Sequence, residues 1–200
     1  MALTVYGFGP SGNCWKVTQI LKLTGRPYDW VEVDTNAGGT RTDGFLAVNP
    51  NAKVPAVVLE DGEVVTESNA ILAHFAEGTD WLPPPGLPRT RVLEWLFFEQ
   101  YSHEPYIAVA RNWIGYLQAK ERYADRLSEI MARGYHALGV MERRLAGAEW
   151  LAGAAPSIAD LALFAYTHVA HEGEFDLARF PGVRAWLGRV RAIPGVEPLA

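Results

Sequence analysis

Three residue types crowd into one short stretch near the start of the chain, MALTVYGFGPSGNCWKV, and each implies different chemistry. Gly7-Phe8-Gly9-Pro10-Ser11-Gly12 follows the spacing Gly-x-Gly-x-x-Gly, which in a strand-to-helix turn cradles a pyrophosphate. Glu32 and Asp34 stand about 20 residues further on, where an acid would meet a ribose hydroxyl. Cys14, the one cysteine in 200 residues, is a candidate redox thiol. Ser11 precedes the first apolar residue of a predicted helix. Its hydroxyl can cap that helix, and the same place beside free amides and the helix dipole favours an anion.

The elements that must carry these residues discriminate among them. Leu3 to Tyr6 reads as a strand, Ser11 to Thr24 as a helix with Cys14, Val17 and Leu21 on one face, and Tyr28 to Asp34 as a second strand. Ala56 to Glu60 and Glu63 to Val65 flank Asp61-Gly62, a hairpin signal, and Thr66 to Glu77 has helical spacing. The order βαβ followed by ββα predicts a small mixed sheet. A dinucleotide fold needs further parallel strand-helix units, and Pro10 removes an amide that a phosphate turn would use. Cys14 lies on the face that packs on the sheet, where a free cysteine behaves as a small hydrophobe.

Pro83-Pro84-Pro85-Gly86-Leu87-Pro88 reads as a linker, giving an expected division into residues 1–78, a linker at 79–88 and a helical domain at 89–200. Helices are predicted over Arg89 to Leu117, Glu121 to Leu145, Ser157 to His171 and Phe180 to Ala192. The third is apolar nearly all round and should be buried. Ser157 and Asp160 fit a capping box. His168 and His171 offer no convincing metal spacing, and no metal is expected.

Composition limits the function. Apolar residues make up 49% and charged residues 20%, as in a globular protein, and the net charge of -5 argues against nucleic acid or an anionic membrane as partner. No stretch approaches the roughly 20 apolar residues that span a bilayer, and a cytoplasmic location is expected.

Four motifs together resemble the cytosolic glutathione transferase family over essentially the whole chain: SGNCWKV, NPNAKVPAVV, ESNAIL and SIADLALF. The first is similar to the turn of the serine-type, theta- and phi-like branches, whose catalytic serine stands six residues before a valine, as Ser11 does before Val17. The resemblance implies an α/β plus all-α protein, with an N-terminal thioredoxin-like domain followed by a C-terminal helical bundle. It also implies a glutathione transferase, with glutathione as co-substrate, no permanently bound cofactor, a small hydrophobic electrophile and a homodimeric assembly.

By the same resemblance, Ser11 stabilises the glutathione thiolate, with Asn13 as the rival donor in the turn and Tyr6 as a further candidate. A cis peptide before Pro55 would let Val54 pair with the cysteinyl backbone, and Lys53 would meet the glycyl carboxylate. Ser68 would hold the γ-glutamyl carboxylate and Glu67 its ammonium. Phe8, Tyr106, Arg111 and Trp113 are candidates to face the electrophile, with core packing as their alternative role. The segment WLFFEQYSHEP is a candidate dimer surface, from which Glu99 and Gln100 would reach the neighbour's glutathione. Two other functions stay open: glutathione-dependent disulfide reduction or peroxidase activity, and a non-catalytic binding module of the same fold.

Overall fold

The computed structural model describes residues 2–199 and divides into two compact units, one ending at Thr79 and one spanning Asp80–Pro198. The first holds a four-stranded sheet, β1 (Thr4–Gly7), β2 (Asp29–Glu32), β3 (Ala56–Val58) and β4 (Val64–Thr66), in the order β2-β1-β3-β4. β1 pairs with β2 in parallel, Val5 opposite Trp30, and with β3 antiparallel, Val5 opposite Val57. Asp61-Gly62 turns β3 into β4: Gly62 has φ 93°, and the Asp61 carboxylate accepts from the Glu63 amide at 3.0 Å.

Helices α1 (Gly12–Leu23) and α3 (Ser68–Ala76) pack on each other. Val17, Ile20, Leu21, Ile71 and Leu72 are fully buried with Val5 and Val57 of the strands, which is the apolar stripe that the helical spacing predicts. Along β1 burial alternates, so Val5 and Tyr6 point to opposite faces. Tyr6 meets Phe45 edge-on, ring centroids 6.3 Å apart. Phe45 belongs to α2 (Asp43–Val48), a six-residue helix too short to show a period in sequence; Thr42 caps it by accepting from the Phe45 amide at 3.3 Å. A side chain at position 7 would have to displace the Trp30 ring, because a Cβ there would fall 2.2 Å from it.

The second unit contains α4 (Leu87–Phe98), α5 (Glu104–Ala110), α6 (Ala124–Leu145), α7 (Ile158–Thr167) and α8 (Pro181–Arg191). α4 begins inside the segment read as linker, with Pro88 in its first turn, where a missing N–H costs nothing. The predicted helix from Arg89 to Leu117 is not uniform. Its spiral widens to π geometry over Glu99–His103, just before Pro105, and again over Arg111–Tyr116. Proline lacks an N–H and its ring crowds the carbonyl four residues back, so a wider turn ahead of it relieves both.

All ten residues of α7 are buried, and it packs against α4, α5 and α8. Its capping box is complete, and the buried Asp160 carboxylate also accepts from the Leu151 amide at 3.1 Å and the Trp186 indole at 2.9 Å. No described helix is long and apolar enough to cross a membrane.

Candidate active site

The loop between β1 and α1 is held on both sides of Ser11. Ser11 donates its amide to the Phe8 carbonyl at 2.9 Å, and the Phe8 amide donates to the Cys14 sulfur at 3.3 Å. The Gly9 amide donates to Glu32 Oε1 at 3.1 Å, while Glu32 Oε2 accepts from the Trp30 indole at 2.7 Å. These bonds agree with setting the dinucleotide reading aside. The acid that a ribose would need is tied to the loop itself, and the amides of Phe8 and Gly9 are turned to protein acceptors rather than to a phosphate.

Ser11 has extended backbone, φ −81° and ψ 120°, and is the N-cap of α1. Its Oγ accepts from the Cys14 amide at 3.4 Å. Accepting uses a lone pair only, so the half-buried hydroxyl retains a proton that can rotate toward an incoming anion. Cys14 behaves differently. Burial pushes its thiol up to about 11, and the Phe8 amide and Ser11 hydroxyl, which act in the opposite sense, do not offset it. A thiol so held is neutral and unreactive near pH 7.

The glycine turn and the Glu67-Ser68 pair, far apart in sequence, meet at one point. Ser68 Oγ donates to Asn13 Oδ1 at 3.3 Å, which brings the first turns of α1 and α3 together. Between them lies Lys16, fully buried, whose Nζ donates to Asn13 Oδ1 at 2.8 Å, Asn69 Oδ1 at 3.4 Å and Ser68 Oγ at 3.5 Å. Sequence reasoning passed over Lys16. The available signal was a cation on the buried stripe, one position from Val17 and four from Ile20.

Glu67 precedes α3 with φ 65° and ψ 113°, a conformation that strains any residue with a Cβ, and its carboxylate accepts from Asn51 Nδ2 at 3.5 Å. With Glu67 outside helical backbone geometry, α3 starts at Ser68, two residues beyond the expected Thr66. The Val54-Pro55 peptide is cis. Asn49, buried just ahead of it, donates from Nδ2 to the Lys53 carbonyl at 2.7 Å and accepts from the Asn51 amide at 3.0 Å. That arrangement leaves the Lys53 side chain exposed and Val54 half-buried beside a buried Pro55. Asn49, Asn51 and Asn69 were also missed, since single asparagines in loops carry no spacing signal.

The residues read as facing an electrophile have partners within their own units. Phe8 is half-buried in the Ser11 loop. In the second unit, Arg111 is buried and its Nε pairs with Glu172 at 2.7 Å, Trp113 stacks on Tyr123 with ring centroids 4.2 Å apart, and the Tyr106 hydroxyl accepts from Arg133 at 3.1 Å. Glu99 is fully buried and accepts from the half-buried Gln100 amide at 2.8 Å. Among the described residues no three histidine, cysteine, aspartate or glutamate side chains are grouped to hold a metal ion.

Comparison with known proteins bears on both units. Residues 10–77 match the family description of the glutathione S-transferase N-terminal domain and residues 124–189 that of the C-terminal domain. A glutathione S-transferase structure from Xanthobacter autotrophicus is 59% identical with a TM-score of 0.97, the match covering 99% of this chain and 97% of that one. A glutathione transferase family member from Pseudomonas fluorescens, solved with two glutathione molecules bound, is 27% identical with a TM-score of 0.84, covering 97% and 90%. The disulfide-bond oxidoreductase YfcG of Escherichia coli is 32% identical, over 94% of this chain and 89% of its own length.

Proposed function

The chain belongs to the glutathione S-transferase family, and on that premise we propose that Ser11 activates glutathione for attack on a small hydrophobic electrophile. The observation that carries the proposal is the Ser68–Asn13 hydrogen bond, which joins the N-termini of α1 and α3 at one site. Glutathione brings two anions, a thiolate and a γ-glutamyl carboxylate, and each helix start favours one.

Free glutathione carries a thiol of pKa about 8.5, only a few per cent ionised at neutral pH. Lowering it by about two units requires roughly 2.7 kcal/mol of preference for the thiolate. A charge-assisted hydrogen bond from Ser11 supplies about 1.5 to 3 kcal/mol and the α1 dipole about 0.3 to 2 more. No protein base is needed. Asn13 is a second donor at the sulfur. Val54, presented by the cis Pro55 peptide, pairs with the cysteinyl backbone as an added strand would, Lys53 meets the glycyl carboxylate, Ser68 the γ-glutamyl carboxylate and Glu67 its ammonium. Phe8, in the same loop, offers apolar surface to the electrophile. Tyr106, Arg111 and Trp113 need no such role to explain their placement.

A second reading, disulfide reduction, is favoured by the similarity to the oxidoreductase and to a relative that holds two glutathione molecules. Its chemistry uses the same thiolate: glutathione sulfur attacks a disulfide, one substrate thiolate leaves, and a second glutathione thiolate attacks the glutathione sulfur of the mixed disulfide, forming oxidised glutathione and expelling the second substrate thiolate. The neutral Cys14 takes no part. Assembly as a homodimer in the cytosol completes the proposal, with the exposed Phe97 and Tyr101 as the apolar surface that a second copy covers.

Glutathione titration by calorimetry, followed by conjugation of chlorodinitrobenzene and reduction of hydroxyethyl disulfide, tests these readings. Binding with conjugation supports the first, and binding with disulfide reduction alone selects the second. Absence of binding refutes both and leaves a non-catalytic module.

A further inference from the structure

The one fully buried ammonium in the described part of the first unit lies directly behind the site, and its hydrogen-bond chemistry constrains what the site can offer. Lysine Nζ has three donors and no acceptor, so every atom facing it must accept. Asn13 therefore turns its Oδ1 inward, 2.8 Å from Nζ, and must turn its Nδ2 amide the other way. Ser68 Oγ accepts from Lys16 at 3.5 Å, which leaves the hydroxyl proton to be given to another group; it goes to Asn13 Oδ1 at 3.3 Å and can turn from there to a carboxylate. Asn69 Oδ1, at 3.4 Å, ties the ammonium to α3 as well as to α1.

We propose that Lys16 is a positioning residue that fixes the polarity of the glutathione site, holding Asn13 and Ser68 with their donors directed at the thiolate and the γ-glutamyl carboxylate. The inference rests on the glutathione reading above and deepens it. Ser11 supplies one donor to the sulfur, and Lys16 determines that Asn13 supplies a second rather than a repelling carbonyl oxygen. Without it the Asn13 amide is free to flip, and a carbonyl oxygen facing a sulfur anion disfavours the charge. Other charged or titratable groups in and beside the turn include Tyr6 of β1, Glu32 of β2, which accepts from the Gly9 amide, Glu67 just before α3, hydrogen-bonded to Asn51, and the neutral Cys14 of α1.

The test compares wild type, Lys16→Met and Lys16→Gln by the thiolate absorbance of bound glutathione across pH, and by the pH profile of kcat/KM with chlorodinitrobenzene. Lys16→Gln keeps a polar group at the buried position but can accept as well as donate, so it no longer fixes the Asn13 amide and decides the matter if Lys16→Met does not fold. Both variants are expected to raise the apparent pKa of the bound thiol by about one unit and to lower kcat/KM about threefold at pH 7, with recovery at high pH. A purely structural lysine would lower activity equally at every pH. A folded Lys16→Met that titrates as wild type overturns the proposal, as does an unshifted Lys16→Gln. Failure of wild type itself to bind glutathione overturns instead the reading on which it rests.

Discussion

Replacing Ser11 with alanine separates the capping that the hydroxyl performs from the thiol activation proposed for it. As a helix cap it accepts from the Cys14 amide at 3.4 Å, a long bond at the weak end of the range, so its loss costs about 0.5 to 1 kcal/mol of stability. As a donor to the thiolate it is worth about 1.5 to 3 kcal/mol, equivalent to a rise of about one to two units in the pKa of bound glutathione. The fold should survive the change, since capping is a small part of a typical stability of about 5 to 15 kcal/mol. At pH 7, starting from a bound thiol about two units below 8.5, kcat/KM should fall about three- to twenty-five-fold and approach the wild-type value in alkaline buffer, where even the unassisted thiol ionises. The assay is the ultraviolet absorbance of bound thiolate, titrated beside a thermal melt. A melting temperature lowered as for a lost cap, with an unshifted thiol titration, would refute the assignment and move thiol activation to Asn13.

Four further outcomes are expected. Glu67→Gly removes the strain of φ 65° and should leave the melting temperature unchanged or higher while weakening glutathione binding at least about tenfold; equal affinity would show that the carboxylate does not meet the ligand. Asp160→Asn leaves the Ser157, Leu151 and Trp186 donors short of one acceptor and should cost about 2 to 4 kcal/mol in denaturant unfolding, whereas a loss below 1 kcal/mol would contradict its role as the hub of α7. Burial lowers the His168 pKa from 6.5 to about 4, so its neutral form contributes stability that is present above pH 6.5 and lost as pH falls toward 4, at most about 3 kcal/mol. Asp160, whose pKa burial raises, acts in the opposite direction, so the test is the difference in melting between wild type and His168→Gln over that interval, and identical slopes would exclude His168. Phe97→Glu should convert a dimer to a monomer in analytical ultracentrifugation; an unchanged sedimentation coefficient would place the interface elsewhere.

Sequence patterns were most legible where period and turn chemistry agree. Val17 and Leu21 share a helical face, Asp61-Gly62 closes a hairpin, and Ser157 with Asp160 caps a helix buried on every side, and each stands in the structure as its pattern requires. Short or irregular elements carried too little signal. Six residues of α2 make fewer than two turns, and the π turns ahead of and beyond α5 continue the apolar spacing of a regular helix while changing its pitch. In the candidate site, residues that occupy special backbone positions were visible: Ser11 at a helix start, Pro55 before a strand, Glu67-Ser68 at the next helix start. Lys16 was not, because burial of a long cation depends on oxygens from α3, more than fifty residues away, and no local window contains both.

The neutrality of Cys14 has a consequence for survival of the catalyst. A protein that gathers electrophiles beside a sulfur anion risks being alkylated by its own substrates. At pH 7 a thiol with a pKa of about 11 is ionised in only about one molecule in ten thousand, and Cys14 is 1% exposed. On the proposed assignment of the site to the Ser11 turn, the sole sulfhydryl of the chain is thereby shielded from the reagents turned over there, and the nucleophile that is consumed is one that diffuses away with the product.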